Sequence, residues 1–312
     1  MKKQEFTFKD KDGVEIFVYK WQGDEGKNIK GVIQIAHGMA EHALRYERFA
    51  EKLTNQGYIV YANDHRGHGK TAGSVENVGY CGEDGFNWMV EDLYELNNII
   101  KSENKGLPVI LLGHSMGSFL SQSYIEKYGD TIDGVILSGT AGKQGFLTAM
   151  GERIAKKEVK KVGAKTKSEK MNNLSFGSYN NSFKPTRTDF DWLSRDEKEV
   201  DKYIADPYCG AIFSAGFFVD LLGGLKDMHK VGNMAKIPKN LPILFIAGEK
   251  DPVGKNNKTI RWLIDQYKNL GINNVKYNFY KDARHEVLNE TNRDEVVSDI
   301  LDWTNSIIQS KQ

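Results

Sequence analysis

A chain of 312 residues with 39% hydrophobic and 27% charged residues has enough apolar side chain for a large core and an ordinary charge density, which argues against disorder. The formal net charge of +1 supplies no field that would gather nucleic acid, and no nucleic-acid motif is present, so a small near-neutral substrate is expected. No apolar h-region follows Lys2 and Lys3 and no run approaches the ~18 residues of a membrane span, so a cytoplasmic protein is expected, with Cys81 and Cys209 as reduced thiols.

Glu15 to Trp21 reads as an early strand, Gly31 to Ala36 as a second and Tyr58 to Asn63 as a third. Between the last two, Tyr46, Phe49, Ala50 and Leu53 fall at i, i+3, i+4 and i+7, so a helix can lay one stripe on the sheet. Pro108 to Gly113 is apolar without alternation, as a strand buried on both faces requires, and Asp133 to Ser138 repeats the pattern. Pro242 to Gly248 is a further strand, followed by Ile260, Leu263, Ile264 and Tyr267 at helical spacing and then by the strand Val275 to Tyr280. A final helix turns Val296, Val297, Ile300, Leu301 and Ile308 inward. Alternating strands and helices predict an α/β architecture with a mostly parallel sheet.

The alternation lapses between about Gly142 and Pro238. Residues 142–238 are therefore expected to form an inserted, mainly helical cap, with 1–141 and 239–312 as the two parts of the core. The first part of this cap is rich in lysine, including Lys156, Lys157, Lys160, Lys161, Lys165, Lys167 and Lys170. A solvated helix face is the ordinary explanation, and transient contact with an anionic membrane surface is the functional one. The second part holds many aromatic residues. Large apolar side chains above a polar site suit the burial of a fatty chain, and Tyr179, Phe217, Phe218 and Val253 are the candidate substrate contacts. The same aromatics could instead pack the cap onto the core.

Gly113-His114-Ser115-Met116-Gly117 matches GxSxG, a weak signal by itself. Its setting strengthens it, because the buried run Val109 to Leu112 precedes it and Phe119, Leu120, Tyr124 and Ile125 follow at helical period. A strand must reverse sharply into a helix there, which strains Ser115 and requires glycine on both sides. A serine hydroxyl needs a base within hydrogen-bond reach and a carboxylate to orient that base. At such elbows the partners follow in the order serine, acid, histidine. Of the seven histidines, only His229 and His285 follow Ser115. His229 lies in the cap, whereas His285 stands just after a strand, so His285 is the expected base. Asp251, in the turn Gly248 to Val253, is the expected acid, with Glu249 and Asp282 as competitors. The backbone N–H of Met116, directly after the nucleophile, and that of Met39, after the second strand, are the expected oxyanion donors. Asp64-His65-Arg66-Gly67-His68-Gly69 is dense in histidine but lacks partners at metal-ligand spacing, and a structural loop is expected. His37 is likewise read as a buried, hydrogen-bonded residue.

Together, His37-Gly38-Met39-Ala40-Glu41-His42, Asp64 to Gly69, the Gly113 to Gly117 elbow, Gly248 to Val253 and His285 resemble the monoglyceride lipase and lysophospholipase branch of the α/β-hydrolases. Phe176 to Asn180 and Phe190 to Asp196 are similar to the cap of bacterial proteins labelled lysophospholipases. Thr71 stands where relatives often carry serine, with the hydroxyl kept. The resemblance implies an α/β-hydrolase fold with Ser115, Asp251 and His285 as triad and Met39 and Met116 as oxyanion hole. It further implies a serine carboxylester hydrolase working through an acyl-enzyme on monoacylglycerols, lysophospholipids or similar esters, with no metal or organic cofactor. The alternatives are an aminopeptidase using the same triad and a non-catalytic binding protein of this fold; oligomeric state is left open.

Overall fold

The computed structural model of the chain describes residues 1–24, 28–143 and 145–309. In chain order its elements are β1 (Lys2–Lys9), β2 (Glu15–Gln22), β3 (Gly31–Ala36), α1 (Glu47–Asn55), β4 (Tyr58–Asn63), α2 (Gly85–Glu103), β5 (Val109–His114), α3 (Met116–Tyr128) and β6 (Gly134–Ser138). The helices α4 (Phe146–Val162), α5 (Glu169–Phe176), α6 (Glu197–Ala205), α7 (Ala215–Asp227) and α8 (Val231–Met234) follow, before β7 (Ile243–Gly248), α9 (Lys258–Asn269), β8 (Val275–Tyr280) and α10 (Arg293–Gln309) complete the chain.

The strands form one sheet in the order β1-β2-β4-β3-β5-β6-β7-β8. From β4 to β8 every pairing is parallel, and β1 and β2 join antiparallel at one edge. This is an α/β-hydrolase fold. Successive residues of a strand point to opposite faces, so the unbroken apolar runs serve two cores. Val109 and Leu111 pack with α2, α3 and α9, through residues such as Met89, Leu93, Leu120 and Leu263. Ile110 and Leu112 pack on the other face with Phe49 and Leu53 of α1 and with Val296 and Ile300 of α10.

Two core elements lie outside those expected from sequence. Strand β1 is largely exposed and polar, with only Phe6 and Phe8 half-buried, so it lacks the apolar run that marks the central strands. Helix α2 was legible in principle: Phe86, Met89, Val90, Leu93, Leu96, Asn97 and Ile100 are buried at helical spacing. Because the central strands are parallel, the turns after β3, β5, β6, β7 and β8 open at one edge of the sheet, where ligands bind in folds of this kind.

Candidate active site

Ser115 follows β5 directly and adopts φ +51° and ψ −118°, a conformation that costs an L-residue of order 1–3 kcal/mol. The Ser115 N–H donates to Ser138 O at 2.9 Å, fixing the elbow to β6. The flanking glycines are dictated by contact: a Cβ on Gly117 would lie 2.0 Å from Ala36 O, and one on Gly113 would lie 2.3 Å from Ser121 Oγ. Helix α3 starts at Met116, so its first N–H groups lack intrahelical acceptors and carry the positive end of the helix dipole.

Asp251 lies in the turn after β7 and His285 in the turn after β8. Asp251 is completely buried and His285 nearly so. The imidazole Nδ1 lies 3.0 Å from both Asp251 oxygens, and the Val253 N–H donates to Asp251 Oδ1 at 2.9 Å. Burial alone would lower the pKa of His285; the Asp251 carboxylate outweighs it, and the pKa lies above its ordinary value. With Nδ1 facing the carboxylate, Nε2 is left for a reacting group. Among the described residues, neither Nε2 nor the Ser115 hydroxyl is bound to another protein group, and Ser115 and His285 line the same cavity. Glu249 and Asp282 are exposed and do not line this cavity. His229 packs against Trp262 in a buried position, with its pKa lowered to about 4 by burial.

Among the described residues, the loop after β3 leaves several N–H groups without a protein acceptor, that of Met39 among them. The Gly38 N–H is taken by Glu41 Oε1 at 2.6 Å, whereas among the described residues the N–H groups of Met39 and Met116 meet no protein acceptor. Glu41 also accepts from the Tyr46 hydroxyl at 2.9 Å and from Arg45 at 2.5 Å, and Arg45 forks onto Glu286 at 2.7 and 2.8 Å. One guanidinium thus joins the loop carrying Met39 to the residue after His285, a connection that sequence reading missed.

The histidine-rich stretch is a structural support. His37 Nδ1–H donates to Gly38 O at 2.7 Å, while its Nε2 accepts from the His65 N–H at 2.9 Å. Burial lowers His65 to about 3 and His68 to about 4, so both stay neutral. The Thr71 hydroxyl donates to Asp64 O at 2.7 Å and accepts from the Phe17 N–H at 2.9 Å.

Above Ser115 and His285 lies a cavity of about 500 Å³. Its floor includes Gly38, Met39 and Ala40, and its roof includes Phe176, Phe190, Trp192, Leu193 and Ile212. Tyr179 stands behind this roof, edge-on to Trp192 at 4.9 Å. Phe217 and Phe218 do not line the cavity. They are buried in α7, where Phe217 packs against Phe213 at 4.5 Å. Val253 acts on the site through its N–H bond to Asp251. Phe176, Phe190, Trp192 and Leu193 lie in the two segments that carry the resemblance to lysophospholipase caps, but nothing in those segments distinguished cavity-facing side chains from those that pack inward. Residues 192 and 193 also bond the His285 turn: the His285 N–H donates to Trp192 O at 3.3 Å and the Glu286 N–H to Leu193 O at 2.7 Å.

Residues 27–292 match the family described as serine aminopeptidase, S33. The chain belongs to this family. It is 30% identical over 311 residues to the monoacylglycerol lipase of Mycolicibacterium smegmatis, covering 96% of each protein. Human monoglyceride lipase is 30% identical over 243 residues, 77% of this chain and 71% of that protein. Among solved structures, the thermostable carboxyl esterase from Bacillus coagulans in complex with glycerol superimposes with a TM-score of 0.91 at 28% identity, covering 99% of both chains. The fold is thus shared with a carboxyl esterase, and the relatives carry names that denote ester hydrolysis.

Proposed function

We propose that the protein is a serine carboxylester hydrolase acting on lipid esters such as monoacylglycerols or lysophospholipids. Ser115 is the nucleophile, His285 the base and Asp251 its orienting acid, while the Met39 and Met116 N–H groups receive the developing oxyanion. His285 takes the Ser115 proton as Oγ attacks the carbonyl carbon and returns it to the departing alcohol. Water then cleaves the acyl-enzyme with His285 again as base. The observation that carries this reading is one cavity with Ser115 and the Asp251-bound His285 at its floor and large apolar side chains in its roof. Residues 142–238 act as the cap that supplies this roof.

The family description favours an aminopeptidase as the second reading. Such an enzyme needs a free buried carboxylate to receive a peptide ammonium group. Of the acids lining the cavity, Glu41 and Glu286 bind Arg45, and Asp189 is exposed. That arrangement favours the ester. No helix among the described residues is long and apolar enough to cross a membrane. Contact of the cap with an anionic lipid surface draws on less free charge than the lysine count suggests, since Lys156 and Lys226 pair with Glu152 and Lys170 pairs with Glu158.

The test is fluorophosphonate labelling together with a substrate series of monoacylglycerols, lysophospholipids, short aryl esters and aminoacyl anilides. Labelling that maps to Ser115, disappears in Ser115→Ala and accompanies fastest turnover of a lipid ester is expected. Faster release from the anilides would transfer the assignment to the peptidase reading, and absence of labelling in the folded wild type would leave a binding protein.

A further inference from the structure

The loop carrying Met39 ends in His42, whose side chain is buried beside a cap segment that the mechanism above does not use. His42 Nε2 lies 2.8 Å from Asp206 Oδ2. Asp206 and Cys209 belong to one tight turn between α6 and α7. Within it the Cys209 N–H donates to Asp206 O at 3.0 Å, and the Tyr208 N–H holds Asp206 Oδ1 at 2.9 Å, leaving Oδ2 for His42. The nitrogen, carboxylate oxygen and Cys209 Sγ all lie within 4.8 Å of one another. An open groove of about 260 Å³ reaches His42 and Asp206 from outside, separate from the cavity over Ser115.

We propose that His42, Asp206 and Cys209 bind a divalent transition metal of the zinc class, with water from the groove as fourth ligand. The donor set supports that class: an imidazole, a carboxylate and a thiolate suit a borderline-soft ion, whereas calcium and magnesium take oxygen ligands. Donors about 2.0–2.3 Å from a tetrahedral ion lie roughly 3.3–3.8 Å apart. The present spread therefore needs a contraction of at most about an ångström on the thiol side, and the His42–Asp206 pair must open by roughly half an ångström. Asp206, with 29% of its side chain exposed, has room to rotate. The charge balance is also favourable, since carboxylate and thiolate together neutralise the ion and the nearby Arg45 is already matched by Glu41 and Glu286.

Burial keeps the Cys209 thiol protonated, with its pKa pushed well above the ordinary value. On binding, that proton leaves to solvent, the imidazole coordinates through the Nε2 lone pair with its hydrogen on Nδ1, and no redox change occurs. The bound ion would tie the cap to the oxyanion loop at a point where they already meet. There the Tyr203 hydroxyl and the Gly210 N–H both donate to Ala40 O, at 2.8 and 2.9 Å.

The experiment uses the full chain, freed of metal with a chelator and titrated with Co²⁺ as probe. One equivalent should give tetrahedral visible absorption with a near-ultraviolet thiolate-to-cobalt band, both bleached by Zn²⁺. The thiolate band should be absent from Cys209→Ser and retained in Cys81→Ser. His42→Ala should bind Co²⁺ at least about a hundredfold more weakly, since loss of outer partners alone costs 10–100-fold. Circular dichroism in chelator reports whether each variant folds. Should Cys209→Ser fail to fold, alkylation of wild-type Cys209 by iodoacetamide serves instead, and Zn²⁺ should slow it at least tenfold. A saturated wild type with no thiolate band, a band that survives in folded Cys209→Ser, or alkylation indifferent to Zn²⁺ overturns the site. None of these readouts depends on the ester-hydrolase assignment.

Discussion

Replacing Arg45 with methionine probes the link between the two halves of the catalytic edge. Arg45, Glu41 and Glu286 retain only 12%, 5% and 6% of their side-chain exposure, so the guanidinium has little water to replace its partners, and the two carboxylates have little to replace it. Methionine preserves most of the apolar stem and removes the charge, leaving both acids buried and uncompensated. Breaking a buried pair in this way costs about 3–5 kcal/mol, measured as the shift in a urea transition at neutral pH. The coupling is separable by a cycle with Glu286→Gln: the double variant should be more stable than the sum of the single losses by about 1–3 kcal/mol. The acid side should change as well. Burial alone would raise the pKa of Glu286, but Arg45 holds it down at about 2 against an ordinary 4.5. A depressed carboxyl contributes stability that is complete above about 4.5 and fades as pH falls toward 2, and that limb should flatten in Arg45→Met. Because Glu41 also fixes the Gly38 N–H, turnover of a short ester should fall more through kcat than through KM. Additivity within about 0.5 kcal/mol, or a single-variant loss below about 1 kcal/mol, would refute the argument.

Three further outcomes follow from the same geometry. The raised pKa of His285 places the acid limb of kcat/KM above the usual imidazole value of 6.5, since only the neutral ring accepts the serine proton; Asp251→Asn should lower both the rate and the pH of that limb. A limb unmoved by that substitution would show that another group titrates. Gly117→Ala should destabilise by about 3 kcal/mol or more or yield insoluble protein, because the new methyl would stand 2.0 Å from a backbone oxygen that cannot move aside; a thermal midpoint within experimental error of wild type would contradict the packing. Phe217→Ala should cost about 3–5 kcal/mol in denaturant unfolding while leaving the KM for long-chain esters unchanged, and a KM effect without a stability loss would return Phe217 to the substrate pocket.

The central sheet was legible because strands buried on both faces need uninterrupted apolar runs, as Val109 to Leu112 has, and the elbow was legible because its constraints are local. The cap aromatics were not. Phe190 and Phe217 are the same residue type in the same compositional tract, yet one roofs the cavity and the other lies inside α7. The difference is set by how short helices pack against one another, which no repeat along the chain records. The Glu41–Arg45–Glu286 link was hidden for another reason: Arg45 and Glu286 are 241 residues apart, and each is an unremarkable charge in its own segment.

The Trp192–Leu193 stretch is also tied to the His285 turn, which bears on how the proposed cap would move. The Trp192 and Leu193 carbonyls accept the N–H groups of His285 and Glu286, and the Trp192 ring lies 5.1 Å from the imidazole. A cap that swung away as one rigid piece would break both backbone bonds and expose the imidazole that the Asp251 carboxylate keeps basic. If the proposed cap moves, admission of a lipid chain is therefore better served by movement around Phe176, on the same roof but outside these bonds, with the Trp192–Leu193 stretch, and Asn180 whose Oδ1 accepts the Trp192 N–H at 2.8 Å, staying on the histidine loop.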